Sequence, residues 1–437
     1  MSGLRNRMES AMTVGSSVAR PTAWLLAALL ATGADAQRAA PAQRWTGSWG
    51  SAQMIATGDN ALPADRAGAI TLRQVVRLSA GGTQVRVRLS NAFGTQPLRI
   101  GAAHIARPTA LGAARIAGGT TLRFAGQVTA VIPAGGEIYS DPVTLALAPG
   151  ADLAVSLYLP DPATPQTGHP GARATSFTVA GNHVADPLLA GATATPHWYA
   201  LADVEVAGPR IAQVTGAARP TTIVTIGDSI TDGYGVAPER NTRWPDILAE
   251  RLRAAPATRP LGVVNAGIGG NRILLDGLGP NLVARFDRDV IARSGVGWAI
   301  LLEGVNDLGV LTRDAPASPE DHAALVAQLT AGFRQLADRA HAHGIKIIGG
   351  TVMPFGGNDY YHPDAALEAD RQAVNSFIRN SGVFDAVIDF DRVMRDPRRP
   401  DRLAPAFDSG DHLHPSEAGY RAMGAAVPLA LFTTPQR

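Results

Sequence analysis

The sequence predicts two architectures in one chain: an all-β, jelly-roll-like sandwich in the first half and an α/β domain with a parallel sheet in the second. Three observations carry this. Apolar and polar residues alternate in short runs from about Trp45 to Val206, the period of half-buried strands. From about residue 221, short and almost wholly apolar runs are separated by stretches of helical period, the pattern of βαβ units. The chain has 437 residues, 46% hydrophobic and 17% charged, which is ordinary globular composition and enough length for two or three domains.

The amino terminus is read first. Arg5, Arg7 and Arg20 precede the apolar run Trp24–Leu30, and the run ends at Ala34-Asp35-Ala36, a small-x-small cleavage form. Residues 1–36 are expected to be an export signal cut near Ala36, which places the mature protein in the periplasm or the medium. The run is too short to span a bilayer, which takes about 20 apolar residues, so no stable membrane anchor is expected after cleavage.

Residues 45–206 are expected to form the sandwich. Thr71–Leu78 and Thr83–Leu89 flank Ala80-Gly81-Gly82, which reads as a hairpin. Leu98–Ile100, Thr121–Phe124, Val143–Leu147 and Leu153–Leu159 continue the series. Residues 207–220, with Gly208-Pro209 and Arg219-Pro220, read as a linker. Beyond it, strands are expected at Ile223–Ile226, Gly262–Asn265, Trp298–Leu302, Ile345–Ile348 and Ala386–Asp389. Helices are expected at Trp244–Ala254, Pro319–His343, Pro363–Asn380 and Ser416–Leu431.

Composition removes several function classes. With 39 Lys+Arg against 37 Asp+Glu, no polyanion-binding surface and no nucleic-acid partner are expected. Lys346 is the single lysine, a compositional bias toward arginine. Zero cysteines exclude disulfides, zinc-thiolate sites, iron–sulfur clusters and a cysteine nucleophile.

The chemistry gathers where parallel sheets place ligands, at the carboxyl ends of the strands. After the first strand comes Gly227-Asp228-Ser229, and after the second a glycine-rich turn, Gly267-Ile268-Gly269-Gly270-Asn271. After the third comes Gly304-Val305-Asn306-Asp307, and before the last helix Asp411-His412-Leu413-His414-Pro415. A serine hydroxyl needs a neighbouring base, which His414 supplies, with Asp411 three residues earlier able to fix its tautomer. Backbone N–H groups of Ser229 and Gly270 and the amide of Asn306 are candidate donors to an oxyanion. Asp228, Gly304 and Asp307 are expected to support these loops. No Gly-x-Ser-x-Gly occurs, which sets aside the α/β-hydrolase elbow. The His412/His414 and His341/His343 pairs lack an accompanying carboxylate cluster, so no metal and no cofactor are expected.

These four ordered blocks resemble the SGNH (GDSL-type) hydrolase family across residues 221–432. The resemblance implies a flavodoxin-like three-layer fold and a metal-free esterase or lipase with catalytic Ser229, Asp411 and His414. It also implies an oxyanion site of Ser229, Gly270 and Asn306. Ile230 stands where the family pattern has leucine. The first half, opening Trp45-Thr46-Gly47-Ser48-Trp49, resembles more loosely the β-sandwich of some secreted bacterial members. The expected substrate is a small-molecule or polysaccharide ester, with a carbohydrate O-acetyl ester in front if the sandwich grips sugar. The alternatives are a lysophospholipid or short-chain aryl ester, and acyl transfer to a sugar hydroxyl by the same residues.

Overall fold

The computed structural model describes residues 43–62, 68–162, 165–208 and 221–433. The expected export signal, 1–36, and all but the first two residues of the expected linker lie outside them.

The second half is built on five parallel strands: β1 (Thr222–Gly227), β2 (Gly262–Gly267), β3 (Val296–Leu302), β4 (Lys346–Gly350) and β5 (Ala386–Ile388). They lie in the order β2-β1-β3-β4-β5, all in parallel register, the flavodoxin-like order. Ile223, Val224 and Ile226 on β1 and Ala299 to Leu302 on β3 are buried, as a sheet covered on both faces requires. Eight helices follow in chain order among the described residues: α1 (Ser229–Asp232), α2 (Trp244–Ala254), α3 (Leu282–Phe286), α4 (Val305–Thr312), α5 (Pro319–Ala342), α6 (Ala365–Asn380), α7 (Phe390–Met394) and α8 (Glu417–Ala426). Their starts are chemically marked. Ser318 caps α5 in a reciprocal capping box with Asp321, and Pro319 occupies the first turn. Asp364 and Ser416 cap α6 and α8 through their side-chain oxygens. The α8 helix ends at Ala426, short of the expected Leu431, because Pro428 interrupts it before a short 3-10 turn.

The first half is strand-rich. A six-stranded antiparallel sheet includes Ile70–Arg77, Ala102–Pro108 and Asp152–Leu159, and a five-stranded one includes Thr46–Gly50, Gly82–Ser90 and Leu201–Ala207. One apolar cluster takes Leu72, Val76, Val155 and Leu157 from the first sheet and Val85, Val87, Val204 and Val206 from the second. The expected hairpin across Gly81-Gly82 does not form. Ile70–Arg77 pairs with Asp152–Leu159 and Ser176–Ala180, whereas Gly82–Ser90 pairs with Leu201–Ala207 and Val143–Leu147. The connecting residues are buried in the crossing between sheets: Ser79 N–H donates to the Ser48 carbonyl and Leu78 N–H to that of Ala151. The strand expected at Thr121–Phe124 lies earlier, at Ile116–Thr121.

The described residues fall in one compact unit, so the two halves are packed on each other. Thr46–Gly50 runs against β2, and the Ser79 hydroxyl bridges them, donating to the Ser48 carbonyl at 2.6 Å and accepting from the Val263 N–H at 2.8 Å. Gly47 N–H donates to the Thr222 hydroxyl at 2.9 Å. A Cβ on Gly262 would strike the Gly47 carbonyl, so only glycine allows this approach. Arg293 ties the halves with an ion pair to Asp203 and a hydrogen bond to the carbonyl of Ser51.

Candidate active site

Strand β1 ends at Gly227, and the chain turns at once into α1. Asp228 is the cap: its carboxylate accepts the Ile230 N–H at 2.8 Å, leaving Ser229 at the first helical position. A Cβ at Gly227 would lie 2.2 Å from the Leu302 carbonyl, so the turn is tight enough to demand glycine. Ser229 is buried, only 6% exposed.

The hydroxyl meets the distant histidine. Ser229 Oγ lies 2.8 Å from His414 Nε2, and His414 Nδ1 lies 2.6 Å from Asp411 Oδ2. The other Asp411 oxygen accepts the backbone N–H groups of Leu413 and His414 at 2.9 and 2.8 Å. Burial pushes the Asp411 carboxyl up, but the hydrogen bonds from the His414 ring and these two N–H groups outweigh it and hold the group well below the usual carboxylate range. An ionised carboxylate only accepts, so Nδ1 carries the proton and Nε2 presents its lone pair to the serine.

Asn306 and Gly270 lie on the segments that follow β3 and β2. Gly304 caps α4 at φ 120°, a conformation that favours glycine, and delivers Asn306 buried at 3% exposure. The Asn306 amide donates one N–H to the Asn271 carbonyl at 2.8 Å, and its oxygen accepts the Tyr361 hydroxyl at 2.7 Å. Those two bonds set which way the amide points. Gly270 has φ 70°, and a Cβ there would collide with Leu278 Cδ1. Asp307 accepts from Ile273 and Leu274 N–H, which pins the segment following Gly270 to the start of α4. The predicted residues Ser229, Asp411 and His414 are therefore joined in one hydrogen-bonded line. Asp228, Gly304, Asn306 and Asp307 shape the two loops beside it.

Beneath the strand ends lies a buried charged group that local pattern does not reveal. Arg285 donates to the carbonyls of Ala266 and Gly227 at 2.7 and 3.0 Å and to Asn271 Oδ1 at 2.8 Å, tying the ends of β1 and β2 together. Burial pushes Asp228 up to about 7, helped by Asp307 and opposed by the Ile230 N–H and Arg285. Burial likewise pushes Asp307 up to about 6 and raises Glu303 well above its ordinary value. The segment Phe355–His362 also supports the site: Asn358 donates to the Asp411 carbonyl at 2.8 Å while the Tyr361 hydroxyl donates to the Asn306 side-chain oxygen. His412 is engaged with Asp408, and His341 with Asp385.

Residues 225–422 match the GDSL-like lipase/acylhydrolase family model. No curated protein matches the sequence. Among solved structures the chain is similar to an acetylxylan esterase from Geobacillus stearothermophilus, at 25% identity over 48% of this chain and 93% of that one, with a TM-score of 0.36. It is similar also to a GDSL-like lipase from Bacteroides thetaiotaomicron, at 20% identity over 50% and 93% with a TM-score of 0.34. An α/β hydrolase from the metagenome of Lake Arreo, Spain, matches at 23% identity over 48% and 94%, with a TM-score of 0.35. The family match and the parallel sheet fall on the same residues, and residues 225–422 carry the GDSL-like lipase/acylhydrolase domain of an enzyme.

Proposed function

We propose that the protein is an exported serine esterase that hydrolyses carboxylic esters through an acyl-enzyme on Ser229. The observation that carries this reading is the continuous line Asp411–His414–Ser229, with separations of 2.6 and 2.8 Å. Ser229 Oγ attacks the ester carbonyl as His414 Nε2 takes its proton, and the oxyanion formed is met by the N–H groups of Ser229, Gly270 and Asn306. His414 returns the proton to the departing alkoxide as the C–O bond breaks. Water, deprotonated by the same nitrogen, then releases the acid and frees the serine. Asp411 keeps the ring in the required tautomer and stabilises the imidazolium.

Two substrate classes are weighed. The similarity to an acetylxylan esterase favours a carbohydrate acetate. Two exposed side chains favour an apolar acyl or alcohol group: Leu278, 66% exposed, lies directly on Gly270, and Tyr360, 58% exposed, packs on Tyr361. Such side chains offer an apolar ligand a surface to cover. The deciding experiment runs p-nitrophenyl esters of graded chain length, acetyl-xylan and lysophosphatidylcholine against wild type and Ser229→Ala. Loss of every activity by a factor on the order of 10^3 or more in the variant supports the serine mechanism. Undiminished turnover overturns it. A further drop on octanoate relative to acetate in Leu278→Ser supports the apolar substrate. Export is checked by sequencing the amino terminus of the mature protein, expected to begin at Gln37.

A further inference from the structure

A segment of the strand-rich half reaches the tyrosine that covers the face of His414. Tyr234, just after α1, lays its ring against the imidazole with centroids 4.1 Å apart and planes at 33°. The Arg173 guanidinium sits over the same tyrosine ring at 5.5 Å, and its Nε donates to the Gly233 carbonyl at 3.1 Å. Arg173 belongs to the first half of the chain, yet it holds φ 49°, a left-handed conformation that costs an arginine energy and persists only where surrounding contacts impose it. Here the Glu239 N–H donates to the Arg173 carbonyl at 2.9 Å, and the Glu239 carboxylate accepts from Thr175 N–H and hydroxyl at 2.7 and 2.5 Å. The backbone of Tyr234 is held as well, its carbonyl accepting the Tyr420 hydroxyl at 2.8 Å.

From this geometry, and resting on the serine-esterase reading above, we propose that Tyr234 is a positioning residue for His414 and that Arg173 of the strand-rich half keeps it in place. The ring edge of His414 is fixed by Asp411 at Nδ1 and by Ser229 at Nε2. The second of these bonds is given up in the reaction, when the proton moves from Nε2 to the departing alkoxide. A face contact persists through that exchange and keeps Nε2 on its path. An aromatic face is also attracted to a cation, so it stabilises the imidazolium that exists only after proton transfer. Both effects act on the transition state and not on the bound ester, and so they enter kcat and leave KM almost untouched.

The test measures kcat and KM separately for p-nitrophenyl acetate with the full-length protein. Tyr234→Ala is expected to lower kcat about 3- to 30-fold, with KM within about twofold. Tyr234→Phe restores the ring and is expected to restore kcat to within about twofold. Arg173→Met is expected to fall between the two. Thermal melting of each variant, expected close to wild type for the half-exposed Tyr234, separates this role from a general loss of fold. An unchanged kcat in Tyr234→Ala, or an equal fall in Tyr234→Phe, overturns the role of the ring. An unchanged kcat in Arg173→Met overturns the contribution of the strand-rich half. Failure of the esterase reading looks different, because Ser229→Ala would then turn over the same ester as wild type does.

Discussion

Two histidine–aspartate pairs flank the four residues of α1, and they have been put to different uses. On one side His414 bonds Asp411 through Nδ1 and offers Nε2 to the Ser229 hydroxyl. On the other, His169 is closed at both nitrogens, Nδ1 at 2.8 Å from the Ala52 carbonyl and Nε2 at 2.9 Å from Asp232. His169 and Asp232 are both buried, whereas the Asp411 side chain is 40% exposed. The chemical groups are the same. What differs is the third partner, a hydroxyl in one case and a carbonyl with no reaction to perform in the other. In the mechanism proposed above the first pair is the proton relay, and the second fastens the turn that carries Ser229 to the strand-rich half.

That contrast is broken or sharpened by mutation. His414→Ala is expected to reduce kcat for p-nitrophenyl acetate by a factor on the order of 10^4 with little change in melting temperature. A residual activity near wild type would remove the contrast entirely. Asn306→Ala is expected to lower kcat about 10^2- to 10^3-fold by deleting the proposed oxyanion donor. Tyr361→Phe should reproduce part of that loss, since the amide then loses the bond that orients it, and an unaffected kcat would place the Asn306 side chain outside the reaction. His169→Ala should invert the pattern. It leaves the Asp232 carboxylate buried without its partner, a cost of about 1–3 kcal/mol, visible as a melting temperature lower by several degrees. Activity per folded molecule should fall far less than in His414→Ala.

The smallest effect concerns the carboxylates. Asp307, raised by burial to about 6, holds its proton more tightly in the folded than in the unfolded chain. Its contribution to stability is therefore present at low pH and lost as pH rises from about 4 to about 6. Asp411, held low by hydrogen bonds, has the opposite sign, contributing above the ordinary carboxylate range and losing that contribution as pH falls below it. The difference in melting temperature between wild type and Asp307→Asn should shift by a few degrees between pH 4 and pH 7, with wild type losing ground as pH rises. A difference independent of pH would show that Asp307 titrates normally.

Much of the second half is legible in the sequence because its information is local. A βαβ unit writes apolar strands, capped helices and strand-end loops in consecutive residues, so Trp244–Ala254 and the blocks around Ser229, Asn306 and His414 stand out. The strand-rich half is harder. Two period-2 runs separated by Ser-Ala-Gly-Gly look alike whether the strands pair or pass into different sheets, and the crossing at Leu78–Gly81 is decided by the shared apolar cluster. The same limit hides the supports of the site. Arg285, Tyr361 and His169 act on residues far along the chain, and nothing in their neighbourhoods distinguishes them from an ordinary helix arginine, loop tyrosine or strand histidine.

The hydroxyl of Ser79 and the strand from Thr46 to Gly50 have a practical consequence for anyone wishing to excise the catalytic half as a fragment. Cut at the junction before Thr221, that fragment would bare an unpaired backbone border along β2, an adhesive template for other chains. It would also strand the guanidinium of Arg293 without Asp203. Residues 221–433 produced alone are expected to self-associate, and an engineered minimal enzyme has to keep the amino-terminal strands as its cover.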